Sequence, residues 1–156
     1  MRGIILFDTS ILCEWLQIPK KSTSNGNKRV EKKMCALAVD FDFFLPLAAV
    51  IETGNHIAHI KKAQTRRSCA EALVALIDKC IAGKSPYATI AGWDVDDLKR
   101  FSRSFVANAT VSIGMGDTTM ISDFEKLCER YPTAREIRIW SLDGHLDSYR
   151  KVQVDI

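Results

Sequence analysis

Residues 3–10 read GIILFDTS, and this stretch decides the fold. Its first five residues are apolar without interruption, a pattern typical of a strand buried on both faces of a parallel sheet. Asp8 ends the run, and the hydroxyl residues Thr9 and Ser10 can cap a helix that continues from there. The stretch therefore predicts a strand, an acid at its carboxyl end and a helix directly behind it.

The rest of the chain alternates apolar strand patterns with helical spacing. Helices are predicted at residues 11–16, 30–39, 48–60, 66–81, from 94 onward and from about 118 to 131; strands at 43–45, 137–142 and 152–154; a loop at 82–92. In the helix from residue 94, Leu98, Phe101 and Phe105 are predicted to form the buried side. Strands separated by helices predict an α/β fold: a mostly parallel central sheet of about four to five strands with helices on both faces.

Composition supports one folded domain spanning residues 1–156. Hydrophobic residues make up 47% and charged residues 26%, which excludes disorder as the main state. No apolar run reaches the roughly 20 residues of a membrane span, and no secretory signal is present, so a cytoplasmic location is expected. The five cysteines are an odd number without a C-x-x-C pair, which fits reduced thiols better than disulfides or a zinc site.

The net charge of +3 is mild, but the basic residues are clustered. One cluster lies within residues 20–33, and the second consists of Lys61, Lys62, Arg66 and Arg67. Either cluster can be a solvated face or a contact for phosphate groups. We predict that the second cluster binds RNA, and both interpretations stay open at this stage.

Four carboxylates occupy related places in the predicted fold. Asp8 and Asp143 each end a strand, Glu52 lies in the first turns of the helix after the second strand, and Asp117 begins a helix. The carboxyl ends of parallel strands meet at one edge of a sheet, so these residues are expected to converge. Two carboxylates about 4 Å apart repel by roughly 4 kcal/mol at an effective dielectric of about 20. A bound Mg²⁺ or Mn²⁺ offsets this repulsion, because hard cations take oxygen ligands.

Each acid also has a simpler explanation. Asp8 and Asp117 can be helix caps, Glu52 can be an exposed helix residue, and Asp143 can belong to an ordinary turn, with Asp147 taking its place. The hydroxyls of Thr9, Ser10 and Thr118 can hold a carboxylate or a metal-bound water, or can only cap helices. His56 and His59 lack further partners for a zinc site and are expected to line the cleft edge or to pack.

The acidic segments resemble the motifs of PIN-domain nucleases, in the same order along the chain. Residues 5–10 (ILFDTS) are similar to the opening motif, and residues 50–52 (VIE) to the second acidic motif. Residues 114–121 (GMGDTTMI) resemble the third motif, and residues 140–146 (WSLDGHL) the fourth, where an acid closes a strand. The resemblance covers the chain from about residue 4 to about residue 150.

This resemblance implies a nuclease that binds Mg²⁺ or Mn²⁺ through Asp8, Glu52, Asp117 and Asp143 and cleaves RNA. Many relatives in that family are toxins held inactive by an antitoxin protein, so an antitoxin partner and a homodimer are further expectations. The longer basic excursion at residues 19–33 and the segment 61–108 depart from the compact toxin pattern. The competing interpretation is a PIN-like domain that binds RNA or protein without cutting. A dehalogenase-type phosphatase is set aside, since it needs an acid where Ser10 stands, and no P-loop motif is present.

Overall fold

The computed structural model describes residues 1–90 and 94–153. Its strands are β1 (Gly3–Phe7), β2 (Phe41–Leu45), β3 (Tyr87–Thr89), β4 (Glu136–Trp140) and β5 (Arg150–Val152). They form one five-stranded sheet in the order β3-β2-β1-β4-β5. All neighbouring pairs are parallel except β4 and β5, which are antiparallel.

Helices connect the strands and flank the sheet. They are α1 (Thr9–Trp15), α2 (Gly26–Leu37), α3 (Leu47–Ala58), α4 (Ala63–Ala82), α5 (Val95–Thr110), α6 (Met115–Arg130) and α7 (Gly144–Asp147). The predicted α/β class with a mostly parallel central sheet is thus confirmed. Within the described residues, no helix is both long and apolar enough to cross a membrane.

The core is centred on β1. Ile5, Leu6 and Phe7 are all 0% exposed, although their side chains point alternately to opposite faces of the sheet. Both faces of the strand are therefore covered, as its unbroken apolar run predicts. The ring of Phe7 stacks on Phe43 of β2 with ring centroids 5.3 Å apart, which joins the two central strands through their side chains as well as their backbones.

Several sequence predictions need correction. Residues 87–89 form strand β3, although the whole segment 82–92 was predicted to be a loop; a three-residue edge strand directly after Pro86 is too short to show a pattern. Residues 91 and 92 lie outside the described part of the chain. The last strand is Arg150–Val152 and not 152–154, and residue 154 is also outside it. Leu98 is 52% exposed, because α5 buries the charged Asp97 toward α6 instead.

The connection between α5 and α6 explains this last error. Lys126 of α6 donates a 2.6 Å hydrogen bond to Asp97, and Arg100 pairs with Glu129. Asp94 and Asp97 also form a capping box at the start of α5. The two helices are therefore joined in part by ion pairs, which an analysis of apolar spacing cannot detect.

The strand order creates a crevice at the carboxyl edge of the sheet. The chain proceeds from β1 to β2 and β3 on one side, and then returns to place β4 on the other side of β1. Such a reversal between neighbouring parallel strands is where α/β proteins bind their ligands. The residues that follow β1 and β4, Asp8 and Ser141, flank this crevice.

Candidate metal centre

Asp8, which borders the crevice, is held by hydroxyl groups. Its Oδ2 accepts hydrogen bonds from Ser10 Oγ at 2.6 Å and from Ser141 Oγ at 2.7 Å. The same oxygen accepts a 3.2 Å bond from the Ser10 backbone N–H, so Asp8 also caps α1. The side chain is 7% exposed. Capping and participation in the acidic cluster are therefore compatible, because capping uses Oδ2 and no described residue donates a hydrogen bond to Oδ1.

Ser141 was missing from the predicted site. Its hydroxyl donates to Asp8 and accepts a 2.9 Å bond from the backbone N–H of Asp143, so it joins the acids that follow β1 and β4. Ser10 takes part in the same network by accepting a 2.9 Å bond from the Leu142 N–H. The predicted strand 137–142 included Ser141, whereas β4 ends at Trp140, so Ser141 is the first residue after its strand, as Asp8 is after β1.

Glu52 reaches the crevice from α3. Its Oε2 accepts a 2.8 Å hydrogen bond from Thr9 Oγ1, so Thr9 orients a carboxylate as well as beginning α1. Its Oε1 lies against Gly116 of α6, only 1.9 Å from where a Cβ on that residue would stand. Gly116 therefore provides the space that Glu52 occupies, a role that the sequence analysis did not assign.

Asp117 lies in the first turn of α6 and is half-buried. Burial raises the pKa of its carboxyl group above the ordinary value. The negative charges of Asp8, Asp143 and Glu52 raise this pKa further, in that order, while His145 opposes them. The four predicted acids thus lie within electrostatic reach of one another. Asp117 accepts no hydrogen bond from any described residue, unlike the other three acids.

Asp143 fits the fourth position better than Asp147. Its Oδ1 accepts a 2.7 Å bond from the His145 N–H at the start of α7, and its charge acts on Asp117. Asp147 accepts only a 3.4 Å bond from the Ser141 N–H and is absent from the charges that shift the pKa of Asp117. Both side chains are exposed.

Thr118 does not join the acidic cluster. It is 1% exposed, and its hydroxyl donates to the Gly114 carbonyl at 2.9 Å. The same oxygen accepts a 3.2 Å bond from the side-chain amide of Asn108. These contacts fasten the start of α6, which carries Asp117, to the end of α5.

The carboxylate oxygens of the acidic cluster are chemically suited to bind a hard divalent cation. Asp8 Oδ1 and both oxygens of Asp117 accept no hydrogen bond within residues 1–90 and 94–153, which leaves them available as ligands. Carboxylate oxygens are the ligands that Mg²⁺ and Mn²⁺ prefer. As the side chains stand, however, no three His, Cys, Asp or Glu residues in the described ranges are grouped closely enough to hold a metal ion. Closer grouping requires rotation of side chains.

An apolar pocket lies beside Glu52. It has a volume of about 340 Å³ and is lined by residues of α3 and of the start of α6. Leu47, Ile51 and Met115 on its wall are each more than 50% exposed. The centre therefore borders an open apolar surface on this side.

The predicted RNA-binding cluster is divided by the structure. Arg66 donates a 2.8 Å bond to the Ile60 carbonyl, and Arg67 pairs with Glu71 at 2.8 Å. Lys61 and Lys62 are exposed and line a groove together with His56 and His59, the two histidines that were expected either to line a cleft edge or to pack. The lysines and the arginines therefore differ in what they contact.

No protein-family model matches the chain, and no curated protein matches it.

Proposed function

We propose that the chain is a metal-dependent nuclease that hydrolyses phosphodiester bonds in RNA, with Mg²⁺ or Mn²⁺ bound by Asp8, Glu52, Asp117 and Asp143. The observation that carries the proposal is the hydroxyl-supported pair of acids at the crevice: Asp8 held by Ser10 and Ser141, and Glu52 held by Thr9. Carboxylates that served only as solvated surface would not need oriented partners from two separate segments, the start of α1 and the residue after β4. Support of this kind is what ligand residues of a metal require.

The role of each residue follows from its contacts. Asp8 and Asp117 offer unbonded oxygens as ligands, while Thr9, Ser10 and Ser141 restrict how the neighbouring carboxylates can rotate. A bound divalent cation would supply a nucleophile from water at neutral pH and would neutralise charge on the phosphate. His145, which is exposed beside this cluster, can donate a hydrogen bond to a phosphate oxygen of the substrate.

The proposal includes RNA as the substrate, an antitoxin as a partner and a homodimeric state. These three parts are supported by the resemblance of residues 4–150 to the PIN-domain motifs. A cytoplasmic location is also proposed, and it is supported by the cysteines, all five of which are free thiols.

The direct test is cleavage of labelled RNA by pure protein, with Mn²⁺ and with EDTA. We expect cleavage only with metal, and none by Asp8→Asn in either condition. Asp78→Asn is the matched control, since Asp78 is an exposed acid on α4 that belongs to no ion pair within the described residues. A DNA strand of the same sequence tests the preference for RNA.

Cleavage that persists in EDTA, or in Asp8→Asn, would contradict the proposal. A folded protein that binds RNA but cuts neither polymer with Mn²⁺ would establish the binding module in its place.

A further inference from the structure

A second charged region lies at the opposite end of α3 from the apolar pocket. A groove of about 430 Å³ runs between the segment that follows α1 and the junction of α3 and α4. We call it the lysine–histidine groove, after the lysine and histidine side chains that line it: Lys20, Lys21, His56, His59, Lys61 and Lys62. No carboxylate is among its lining residues, and the first turn of α4 contains no acid.

The four lysines of this groove have no partners within residues 1–90 and 94–153. None forms an ion pair shorter than 4.0 Å, and no side-chain hydrogen bond from any of them is present in that part of the chain. Arg29 and Arg67, from the same two basic clusters, pair with Glu14 and Glu71. Unpaired positive charges on both walls of one groove repel each other, and this repulsion is relieved by a bound polyanion.

The walls of the groove are fixed by a small core of their own. Ile18, from the first wall, packs with Ile57 and Ile60 of the second wall and with residues of α4. The Ile18 carbonyl accepts a 2.8 Å bond from Ser22 Oγ, and the Ile60 carbonyl accepts one of 2.8 Å from Arg66. The backbone of the groove is therefore anchored although its lysine side chains are free, and Arg66 contributes to that anchoring.

The groove and the candidate metal centre both border α3. Glu52 and His56 are four residues apart on the same helix, so they share a face and are separated by about 6 Å along the axis. The buried thiol of Cys13 is influenced by charges of both regions. Burial raises its pKa to about 11, Lys21 opposes that rise, and Asp8 and Glu52 add to it. One buried thiol thus lies within electrostatic reach of a groove lysine and of both acids.

We propose that the lysine–histidine groove binds the phosphate backbone of a single nucleic-acid strand beside the bond that is cut. The identity of the polymer rests on the proposed function, whereas the affinity of the groove for phosphates does not. Lysine contacts with phosphates release counterions and give affinity without base specificity, and histidine rings can stack on exposed bases. The substrate is then an extended strand of several nucleotides, with one phosphate at the acids and its neighbours in the groove.

The test is binding of a fluorescein-labelled single-stranded RNA, followed by anisotropy in EDTA so that metal-dependent cleavage does not interfere. For Lys61→Ala/Lys62→Ala we expect several-fold weaker binding and a salt dependence whose log–log slope is flatter by about 1.4, or about 0.7 for each lost contact. Lys20→Ala/Lys21→Ala, on the opposite wall, should behave in the same way. Lys84→Ala/Arg103→Ala is the charge-matched control from exposed positions outside the groove, and it should leave the slope nearly unchanged. Matching thermal melts show that all the variants are folded.

Equal slopes for wild type and both groove variants would overturn the proposal, as would an equal flattening in the control. Vesicles of phosphatidylserine that bind through these lysines when RNA does not would overturn it as well. Failure of the nuclease proposal is a separate result: flattened slopes together with no cleavage in Mn²⁺ would support the groove alone, and cleavage with unchanged slopes would support the centre alone.

Discussion

The acidic centre and the lysine–histidine groove lie along the same helix, α3, but they are constructed in opposite ways. At the centre, Asp8 is almost completely buried and is held by the hydroxyl of Ser10 in its own segment and by that of Ser141 after β4. In the groove, Lys61 and Lys62 are exposed and have no partner within the described residues. Chemistry on a phosphate requires ligands in fixed positions, whereas attraction of a polyanion requires only charge at the right place. Changes at the centre should therefore alter rate, and changes in the groove should alter affinity.

The largest effect is expected for Asp117→Asn. Asp117 offers two oxygens that accept no hydrogen bond from the described residues, so its loss should remove a principal ligand and reduce RNA cleavage to background. Binding of RNA in EDTA should be unchanged or slightly tighter, because a negative charge beside the strand is gone. The cleavage assay in Mn²⁺ tests the loss of activity, and the anisotropy assay in EDTA tests whether RNA binding is kept. Loss of binding in parallel with cleavage would remove the distinction between centre and groove.

Gly116→Ala should lower cleavage by up to about 10²-fold while leaving the fold intact, since small misplacements of catalytic groups are costly. The new Cβ would stand 1.9 Å from Glu52 Oε1, and the flexible glutamate can move away, which takes it out of the centre. In a helix Ala is favoured over Gly by about 1 kcal/mol, so stability should not fall much. Gly54→Ala is the control on α3, because nothing lies within 4 Å of its Cβ position. If Gly116→Ala and wild type cleave RNA at the same rate, activity does not depend on the position of the Glu52 carboxylate against Gly116.

Ser141→Ala should reduce cleavage by about 10- to 100-fold and raise the Mn²⁺ concentration needed for half-maximal rate, as expected for residues that orient metal ligands. The change removes the hydroxyl that joins Asp8 to the Asp143 backbone. Ser141→Thr, which keeps the hydroxyl, should restore part of the activity, and Ser102→Ala on the exposed face of α5 should have no effect. A rate defect that added Mn²⁺ leaves unchanged, with no rescue by Ser141→Thr, would indicate that Ser141 has only a structural role.

The sequence predicted the central strands and the parallel sheet, because these follow from apolar runs. It placed Asp8 correctly at the end of the first strand, but it placed Asp143 directly after a strand that in fact ends at Trp140. It could not predict that Thr9 supports Glu52 while Thr118 bonds to Gly114 and Asn108, since both are hydroxyl residues next to an acid. Side-chain direction decides between these roles, and only the packed helices determine it. The groove was also missed as a unit, because its walls are about 40 residues apart in the chain and their proximity depends on the core around Ile18.

A smaller effect concerns the pH dependence of stability in the metal-free protein. The pKa of Asp117 is raised in the folded state above its ordinary value of 3.8, so the folded protein holds this proton more tightly than the unfolded chain does. The stability of the wild-type protein should therefore fall as the pH rises from the pKa of Asp117 in the unfolded chain to its higher pKa in the folded protein. Above the folded-state pKa this loss of stability is complete. Asp117→Asn should melt a few degrees higher than wild type near neutral pH, with the advantage vanishing below pH 3.8. Thermal melts of both proteins in EDTA, from below pH 3.8 to neutral pH, measure this difference in melting temperature. A difference that does not change with pH would contradict a raised pKa of Asp117.

The most direct test of the account is whether Mn²⁺ binds the native protein through these carboxylates, measured by thermal melts of wild type, Asp8→Asn and Asp78→Asn over a Mn²⁺ titration. A ligand that binds only the native state stabilises it by about 2.7 kcal/mol at 100 times its dissociation constant. We expect a saturable rise in melting temperature for wild type and for Asp78→Asn, and little or none for Asp8→Asn. An equal rise in all three proteins, or no rise in wild type, would contradict the metal centre.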